Sequence, residues 1–210
     1  MANLKKGQSI LYMVRHGQTD WNVEKRLQGH VDIPLNDQGL LEATAVAEEL
    51  QDQTFDAIYS SPLKRAFDTA QIINEKHQQE IQISSELKEA TYGSMEGALV
   101  ADYHRACKER LVGYQQMSNQ ERVHFKLVPD AESYFEVYHR VKPVLQQIVE
   151  KHAGGQVLVV TQGGLMRSLF AMLTEIDVLK IQIQNGGYLR MQGDGNHFSI
   201  LDYTRILISA

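Results

Sequence analysis

The sequence predicts a single α/β domain built as a three-layer sandwich, in which a mostly parallel central sheet carries helices on both faces. Two apolar, β-branched runs of strand length, residues 10–14 and 157–160, each stop at a polar or glycine-containing segment. Segments with helical apolar spacing alternate with further short strands, which is typical of βαβ units. No internal repeat or Pro/Gly/Ser-rich linker divides the chain, so residues 1–210 are expected to form one domain.

The first half of the chain contains signals for three strands and two helices. After the first strand, Asn36 is the predicted N-cap of a helix. A second strand over residues 55–60 leads into a helix that has Ser61 as its N-cap and Pro62 at its first position, and that ends near residue 76. Residues 81–83 are predicted to be a short third strand. The apolar positions of the Asn36 helix are Leu40, Leu41, Ala43, Ala47 and Leu50.

The second half alternates in the same way and ends in an antiparallel pair. A helix is predicted from Ser133 to His152, before the strand at 157–160 and a helix that starts near Leu165. The last two strands, 188–192 and 197–203, flank a Gly-Asp-Gly-Asn turn. Residues 98–117 have helical spacing and residues 118–129 are weakly patterned. We expect residues 98–132 to form a small helical lid over the active edge of the sheet.

The first strand ends at Arg15, His16 and Gly17, at the edge where open α/β sheets bind ligands. The planar guanidinium of Arg15 suits a phosphate group. An imidazole that is neutral near pH 7 can act as a nucleophile toward phosphorus, so His16 is a candidate nucleophile. Gly17 allows a backbone N–H to approach a ligand closely. These residues predict a phosphate site.

Several separated motifs, in the same order along the chain, resemble the histidine phosphatase superfamily, which includes the cofactor-dependent phosphoglycerate mutases. Residues 15–22, Arg-His-Gly-Gln-Thr-Asp-Trp-Asn, are similar to its Arg-His-Gly-Glu-Thr-x-Trp-Asn signature. Residues 60–66 are similar to its Ser-Ser-x-x-x-Arg-Ala segment, and residues 87–97 to its Leu-x-Glu-x-x-Phe-Gly-x-Trp-Glu-Gly segment. The resemblance extends from about Ser9 to Tyr203 and implies a phosphoglycerate mutase-like fold.

The resemblance also implies roles for individual residues. His16 corresponds to the nucleophile, and Glu89 to the proton donor for the leaving alkoxide, a task that suits a carboxylic acid. Glu96 is a competing carboxylate, and spacing alone does not decide between the two. Arg65, on the first turn of a helix, corresponds to a second phosphate-binding arginine, and the helix N-terminus there favours an anion. The expected phosphate-binding residues are Arg15, Asn22, Arg65 and Gly163.

One motif departs from the family pattern. Residues 161–164, Thr-Gln-Gly-Gly, resemble Ser/Thr-His-Gly-Gly, but Gln162 stands where the family has its second catalytic histidine. A glutamine amide can still donate to a phosphate oxygen, although it cannot become a cation or shuttle a proton. Loss of one preorganised, charge-stabilising donor costs on the order of 10²–10³ in rate. We therefore expect a site that binds phosphate well and turns over slowly.

The leading hypothesis is a phosphomonoesterase that acts on a small phosphorylated metabolite through a phosphohistidine, without a metal ion or other cofactor. Two alternatives remain. Phosphoglycerate mutase-type transfer shares the phosphohistidine, but the longer insertion and the Arg-Arg pair of those mutases are not found after residue 97. A catalytically weak pseudoenzyme that binds a phosphorylated ligand is supported by Gln162 alone.

Composition limits the other classes of function. A formal net charge of −5 argues against a general nucleic-acid binder. The single cysteine, Cys107, allows no intrachain disulfide, as is usual in a reducing compartment. The apolar run at residues 10–14 is too short for a signal peptide or a membrane span, so a cytoplasmic protein is expected. A homodimer, paired through a strand edge or an apolar helix face, is compatible with the sequence.

Two further patterns have ordinary structural explanations. His104 and Cys107 lie one helical turn apart, a spacing that suits two metal ligands, but no further ligands cluster with them and no metal site is expected. The basic residues of segment 98–132 are interleaved with acidic ones, which is typical of a solvated helix face.

Overall fold

The computed structural model describes residues 7–209, which form one six-stranded sheet with helices on both faces. The strands are β1 (Ser9–Arg15), β2 (Ala57–Ser60), β3 (Ile81–Ile83), β4 (Gln156–Thr161), β5 (Ile181–Gly193) and β6 (Phe198–Ile208). The helices are α1 (Asp20–Val23), α2 (Asp37–Leu50), α3 (Lys64–Asn74), α4 (Val100–Ala106), α5 (Lys108–Gln116), α6 (Asn119–His124), α7 (Tyr134–Lys151) and α8 (Gly163–Leu173). Short 3₁₀ turns lie at Ser85–Leu87, Gly93–Met95 and Val178–Lys180.

The strand order is β3-β2-β4-β1-β5-β6. The first four strands run parallel, whereas β5 is antiparallel to β1 and to β6. The side chains of β1 alternate between two cores. Leu11 and Met13 pack with α7 and α8 on one face, and Tyr12 and Val14 pack with α2 and α3 on the other. The predicted α/β fold with its mostly parallel sheet is confirmed, and burial on both faces explains the unbroken apolar run.

The register of the parallel strands brings the predicted site residues together. Arg15 lies opposite Thr161, so the residues that follow them leave neighbouring strands at the same sheet edge. The His16 N–H donates to the Thr161 carbonyl at 3.0 Å, which fixes this alignment one residue beyond the strands. Ser60 pairs with Val160 on the other side of β4, which places Ser61 at the same edge.

The apolar face predicted for α2 is partly wrong. Leu40 and Leu41 are 45% and 65% exposed, whereas Val46 is fully buried. The start of α2 packs backbone to backbone against the loop after β1, where a Cβ on Gly17 would lie 2.2 Å from the Gly39 carbonyl oxygen. This close approach turns Gly39 inward and both leucines outward. The predicted cap is confirmed, since the Asn36 side chain accepts from the Gly39 N–H at 2.9 Å.

The predicted start of α3 is also wrong. The helix begins at Lys64 rather than Pro62, and Ser61 is not its N-cap. The Lys64 N–H is instead capped from a distance by the Asp32 carboxylate, at 2.6 Å. Ser61 Oγ accepts from the Leu63 N–H, which precedes the helix, and also from the Gln162 amide. Arg65 still lies in the first turn.

Segment 98–132 is more helical than predicted. The helix expected over 98–117 is divided at Cys107 into α4 and α5, although the apolar spacing continues across the break. The weakly patterned stretch after it contains α6, which Ser118 and Glu121 open with a reciprocal capping box. The strands β5 and β6 are longer than predicted, whereas the Ser133 cap of α7 is confirmed. The division of the chain into one domain with a lid stays a prediction.

Candidate active site

Most of the predicted site residues line one cleft of about 560 Å³ at the carboxyl edge of the parallel strands. Helices α4 and α5 form part of its outer wall. Gln162 is fully buried and is not among the residues of the cleft wall. The predicted residues on the cleft wall are Arg15, His16, Asn22, Arg65, Glu89 and Gly163.

His16 is held in one orientation. Its side chain is 2% exposed, and its Nδ1 lies 2.6 Å from the Gly17 carbonyl oxygen. Because a carbonyl can only accept, Nδ1 carries the proton and Nε2 keeps its lone pair. Burial, and then the neighbouring Arg65 and Arg15, lower the pKa of His16 well below the usual 6.5. The imidazole is therefore neutral at pH 7.

Of the two predicted phosphate-binding arginines, Arg65 is buried and Arg15 is half-buried, and the hydrogen-bond donors of both are only partly satisfied. Arg65 is fully buried and donates to the Gly29 and Val31 carbonyls at 2.9 and 2.8 Å. Arg15 donates to the Ile183 carbonyl at 2.5 Å. The Nε of each guanidinium is buried without a partner. Burial lowers the pKa of Arg15 to about 10 and also lowers that of Arg65, so both remain cations at neutral pH. Two neighbouring cations with free donors suit an anion.

Glu89 lies against the N-terminus of α8. Its carboxylate accepts from the Gly164 N–H at 3.0 Å, and from the Leu165 and Ala90 N–H groups at 2.9 Å each. A Cβ at Gly164 would lie 2.4 Å from Glu89 Oε1, so only glycine leaves room for this arrangement. The competing carboxylate, Glu96, accepts from Thr91 and Tyr92 and is not among the residues of the cleft wall.

Asn22 and Asn185 connect the loop after β1 to strand β5. The Asn22 carbonyl oxygen accepts from Thr19 as part of the capping box of α1. It also accepts from the Asn185 amide at 3.2 Å, and that amide lies 3.2 Å from the His16 carbonyl. Asn185 was not predicted to be a site residue, because its position beside His16 depends on the β1–β5 pairing. Gly163 lies against the Arg15 guanidinium, where an added Cβ would be 3.0 Å from Nε.

Gln162 forms its hydrogen bonds with neighbouring hydroxyl groups. Its Nε2 donates to Ser61 Oγ at 2.9 Å, and its Oε1 faces Thr161 Oγ1 at 3.2 Å. One amide proton is thereby committed to Ser61, away from the cleft.

The outer part of the cleft contains residues that were not predicted from the sequence to belong to the site. Four tyrosines line it, together with Arg167 from α8. Arg167 lies four residues after Gly163 on the same helix, so helical spacing alone places both on the same face. Burial raises the pKa of Tyr92, Tyr103 and Tyr114, which keeps these phenols neutral. The four tyrosines are Tyr92, Tyr103, Tyr114 and Tyr134.

The sequence model of one protein family, the histidine phosphatase superfamily (branch 1), matches residues 11–205, which are nearly the whole chain. The chain belongs to the histidine phosphatase superfamily. The resemblance inferred from the sequence motifs is therefore confirmed.

Curated relatives of this histidine phosphatase include two plant proteins. Phosphoglycerate mutase-like protein 4 of Arabidopsis thaliana is 41% identical over 162 residues, which are 76% of this chain and 69% of that protein. The metal-independent phosphoserine phosphatase of the same organism is 34% identical over 167 residues, 79% of this chain and 68% of that one. Among solved structures, the phosphoglycerate mutase from Bacillus anthracis str. Sterne superposes with a TM-score of 0.83 at 27% identity, covering 94% of this chain and 93% of that chain.

The arrangement in this histidine phosphatase joins a neutral, oriented imidazole with two guanidinium groups and a carboxyl group across one cleft. Such a set can bind a phosphoryl group, attack it and protonate a leaving oxygen.

No helix within residues 7–209 has the length and apolarity needed to cross a membrane.

Proposed function

We propose that this histidine phosphatase hydrolyses the phosphomonoester of a small metabolite through a phosphohistidine at His16. One observation carries the proposal. The His16 imidazole is neutral, its Nδ1 proton is held by Gly17, and it lies beside two guanidinium groups that retain unused donors. A nucleophile of this kind needs a site that neutralises the three equatorial phosphoryl oxygens, and Arg15 and Arg65 supply that charge. The cleft volume suits a small molecule.

The proposed reaction has two steps. In the first, His16 Nε2 bonds to phosphorus while the bond from phosphorus to the ester oxygen breaks, and that oxygen takes a proton from the Glu89 carboxylic acid. In the second, water attacks phosphorus and gives a proton to the Glu89 carboxylate, and the bond between phosphorus and Nε2 breaks. Phosphate leaves, and both residues return to their initial protonation states. The similarity to the second plant relative, the metal-independent phosphoserine phosphatase of Arabidopsis thaliana, supports hydrolysis of this kind.

We also propose that Gln162 slows this reaction. Its amide is neutral and one of its protons is engaged by Ser61 Oγ, so it adds no positive charge to the phosphoryl group in the transition state. Removal of one preorganised donor costs on the order of 10²–10³ in rate. The second candidate function, binding of a phosphorylated ligand with little turnover, is favoured by this same residue.

The test compares the chain with its Gln162→His variant in steady-state hydrolysis of 4-nitrophenyl phosphate. We expect a rise of about 10²-fold or more in the variant. Equal and substantial rates would overturn the proposed impairment, while inactivity of both would overturn hydrolysis and favour the binding function. In parallel, a denaturing quench at alkaline pH, after incubation with a phosphomonoester labelled in its phosphoryl group, should trap an acid-labile adduct that His16→Ala lacks. An adduct that persists in His16→Ala would refute the assignment of the nucleophile.

A further inference from the structure

Asn185 lies between the loop after β1 and a second residue of the cleft wall. Its side-chain nitrogen, Nδ2, is 3.2 Å from the His16 carbonyl oxygen and 3.2 Å from Asn22 Oδ1. A backbone carbonyl can only accept a hydrogen bond, so the atom of Asn185 that faces His16 is the amide nitrogen. The Gly186 N–H donates to the same carbonyl at 3.3 Å. The NH2 group of Asn185 is therefore directed at His16 and Asn22 together.

The contacts of Asn22 fix which end of its own amide faces the cleft. Its Oδ1 accepts from the Thr19 N–H and from the Thr19 hydroxyl, both at 3.1 Å, in addition to Asn185. A backbone N–H can only donate, so this atom is the carbonyl oxygen and the amide nitrogen lies on the other side. Within residues 7–209, all hydrogen bonds of the Asn22 side chain fall on Oδ1. Its NH2 group thus keeps both protons for a ligand, in a residue that lines the cleft beside His16.

A bulge in β5 directs Asn185 to this position. Between two paired positions, the four residues 184–187 of β5 stand opposite the single residue Arg205 of β6. Bulges re-aim side chains and are frequent next to active sites. The Arg205 guanidinium holds the bulge, because it donates from Nε to the Gly186 carbonyl at 3.0 Å and pairs with Glu49 of α2. Arg205 itself has a positive φ of 54°, which is uncommon for a residue other than glycine. The position of Asn185 is therefore set by β5, β6 and α2.

We propose that Asn185 is a positioning residue, which holds the Asn22 amide with its NH2 group toward the phosphoryl oxygens of the substrate. The proposal rests on the proposed function for the position of the phosphoryl group beside His16. An unrestrained asparagine amide can present its oxygen as readily as its nitrogen, and the oxygen repels an anion. Held in one orientation, Asn22 adds a preorganised donor to the cations Arg15 and Arg65.

The test is a double-mutant cycle that measures binding of inorganic phosphate by calorimetric titration, so it does not depend on turnover. Asn22→Ala removes the donor and should weaken phosphate binding by about 10- to 100-fold, the range for a hydrogen bond to a charged group. Asn185→Ala should weaken it by about 3- to 10-fold, because the donors of Thr19 still restrain the amide. In the Asn22→Ala background, Asn185→Ala should cost less than about 2-fold, since no amide is left to orient.

A second substitution and a matched control make the result specific. Asn185→Asp is close in shape but places a carboxylate against the Asn22 oxygen, so Asn22 should turn its nitrogen toward the carboxylate. Both that turn and the added negative charge oppose phosphate, and we expect weaker binding than in Asn185→Ala. The control Asn74→Ala also removes an asparagine with two hydrogen bonds, of 2.7 and 2.8 Å, but at the end of α3 and outside the cleft wall. It should lower Tm and leave the phosphate affinity unchanged. Thermal unfolding checks that each variant is folded, and Asn185→Ser replaces Asn185→Ala where alanine prevents folding.

An equal loss from Asn185→Ala in both backgrounds would overturn the proposal, because Asn185 would then act on phosphate without Asn22. Wild-type affinity in Asn185→Ala or in Asn185→Asp would also overturn it, as would the absence of phosphate binding by the wild-type chain. Failure of the proposed function gives a different result, because a chain that binds phosphate and forms no phosphohistidine would still show the coupling between Asn185 and Asn22. Loss of that coupling with hydrolysis intact would overturn the positioning role alone.

Discussion

The contact between Gly164 and Glu89 gives the most direct test of how the carboxyl group is held. In Gly164→Ala the new Cβ would lie 2.4 Å from Glu89 Oε1 and 3.0 Å from its carboxyl carbon. The carboxylate must move, and it cannot then keep both of its bonds to the Gly164 and Leu165 N–H groups. Loss of one hydrogen bond to a charged group costs about 1.5–3 kcal/mol. Alanine recovers up to about 1 kcal/mol in helix propensity.

We therefore expect Gly164→Ala to lower the free energy of unfolding by about 1–2 kcal/mol, which corresponds to a fall in Tm of about 2–8 °C for a chain of this size. The effect on rate should depend on the leaving group, because an alkyl alkoxide needs a proton more than a nitrophenolate does. We expect kcat for an alkyl phosphomonoester to fall by about 10²-fold or more, with a smaller loss for 4-nitrophenyl phosphate.

Gly113→Ala is the matched control. Gly113 lies in α5, and a Cβ there meets no atom within 4 Å, so this variant should keep wild-type activity and gain about 0.4–1 kcal/mol. Wild-type kcat and Tm in Gly164→Ala would refute the geometry of the carboxylate. An equal loss on both substrates would refute proton donation by Glu89.

Two further predictions concern the part of the cleft where His16 and Arg65 lie. Burial and the two flanking guanidinium groups lower the pKa of His16 in the folded chain. Below pH 6.5 the unfolded chain therefore binds more protons than the folded chain, and the free energy of unfolding falls. Between about pH 7.5 and about pH 5.5, thermal unfolding should show a smaller loss of stability in His16→Gln than in the wild type. The acid limb of kcat/KM should likewise lie well below 6.5, and a midpoint at or above that value would contradict the assignment. A lysine at position 65 cannot maintain both carbonyl contacts of Arg65 and present a further donor. In Arg65→Lys, kcat/KM for 4-nitrophenyl phosphate should therefore fall by about 10²–10³-fold. Arg110 is exposed, so the control variant Arg110→Lys should match the wild type. A wild-type rate in Arg65→Lys would exclude a clamping role.

The sheet, and the meeting of Arg15, His16 and Arg65 at its carboxyl edge, could be predicted because each depends on strong local signals. Strands buried on both faces are continuous apolar runs, and parallel strands release their following residues at one edge. The presence of Glu89 in the cleft and of Glu96 outside it could not be derived from spacing, because it depends on where α8 begins relative to the loop after β3. Arg65 was placed correctly on the first turn of its helix, although the helix begins two residues later than predicted.

The errors arise where a tertiary contact overrides a local preference. Leu40 and Leu41 carry the larger apolar side chains, but the face of α2 that is buried is set by the backbone contact between Gly17 and Gly39. Ser61 has the usual chemistry of an N-cap, but the Asp32 carboxylate caps the Lys64 N–H at the start of α3 instead. Arg167 could have been found from helical spacing alone, because it follows Gly163 by four residues on α8.

The position of Gln162 bears on which kinetic parameter the glutamine affects. Arg15 and Arg65 are cations held in place before any ligand arrives, and in the proposed reaction they would attract a phosphate in the ground state as well as in the transition state. Interactions of that kind contribute to binding, and only those that strengthen in the transition state raise kcat. A second histidine at position 162 belongs to the latter kind, because it can gain a proton as charge develops on the phosphoryl oxygens. The amide of Gln162, with one proton committed to Ser61, cannot respond in this way. Under the proposed function we therefore expect the cost of the glutamine to fall on kcat, while KM stays set by the two guanidinium groups.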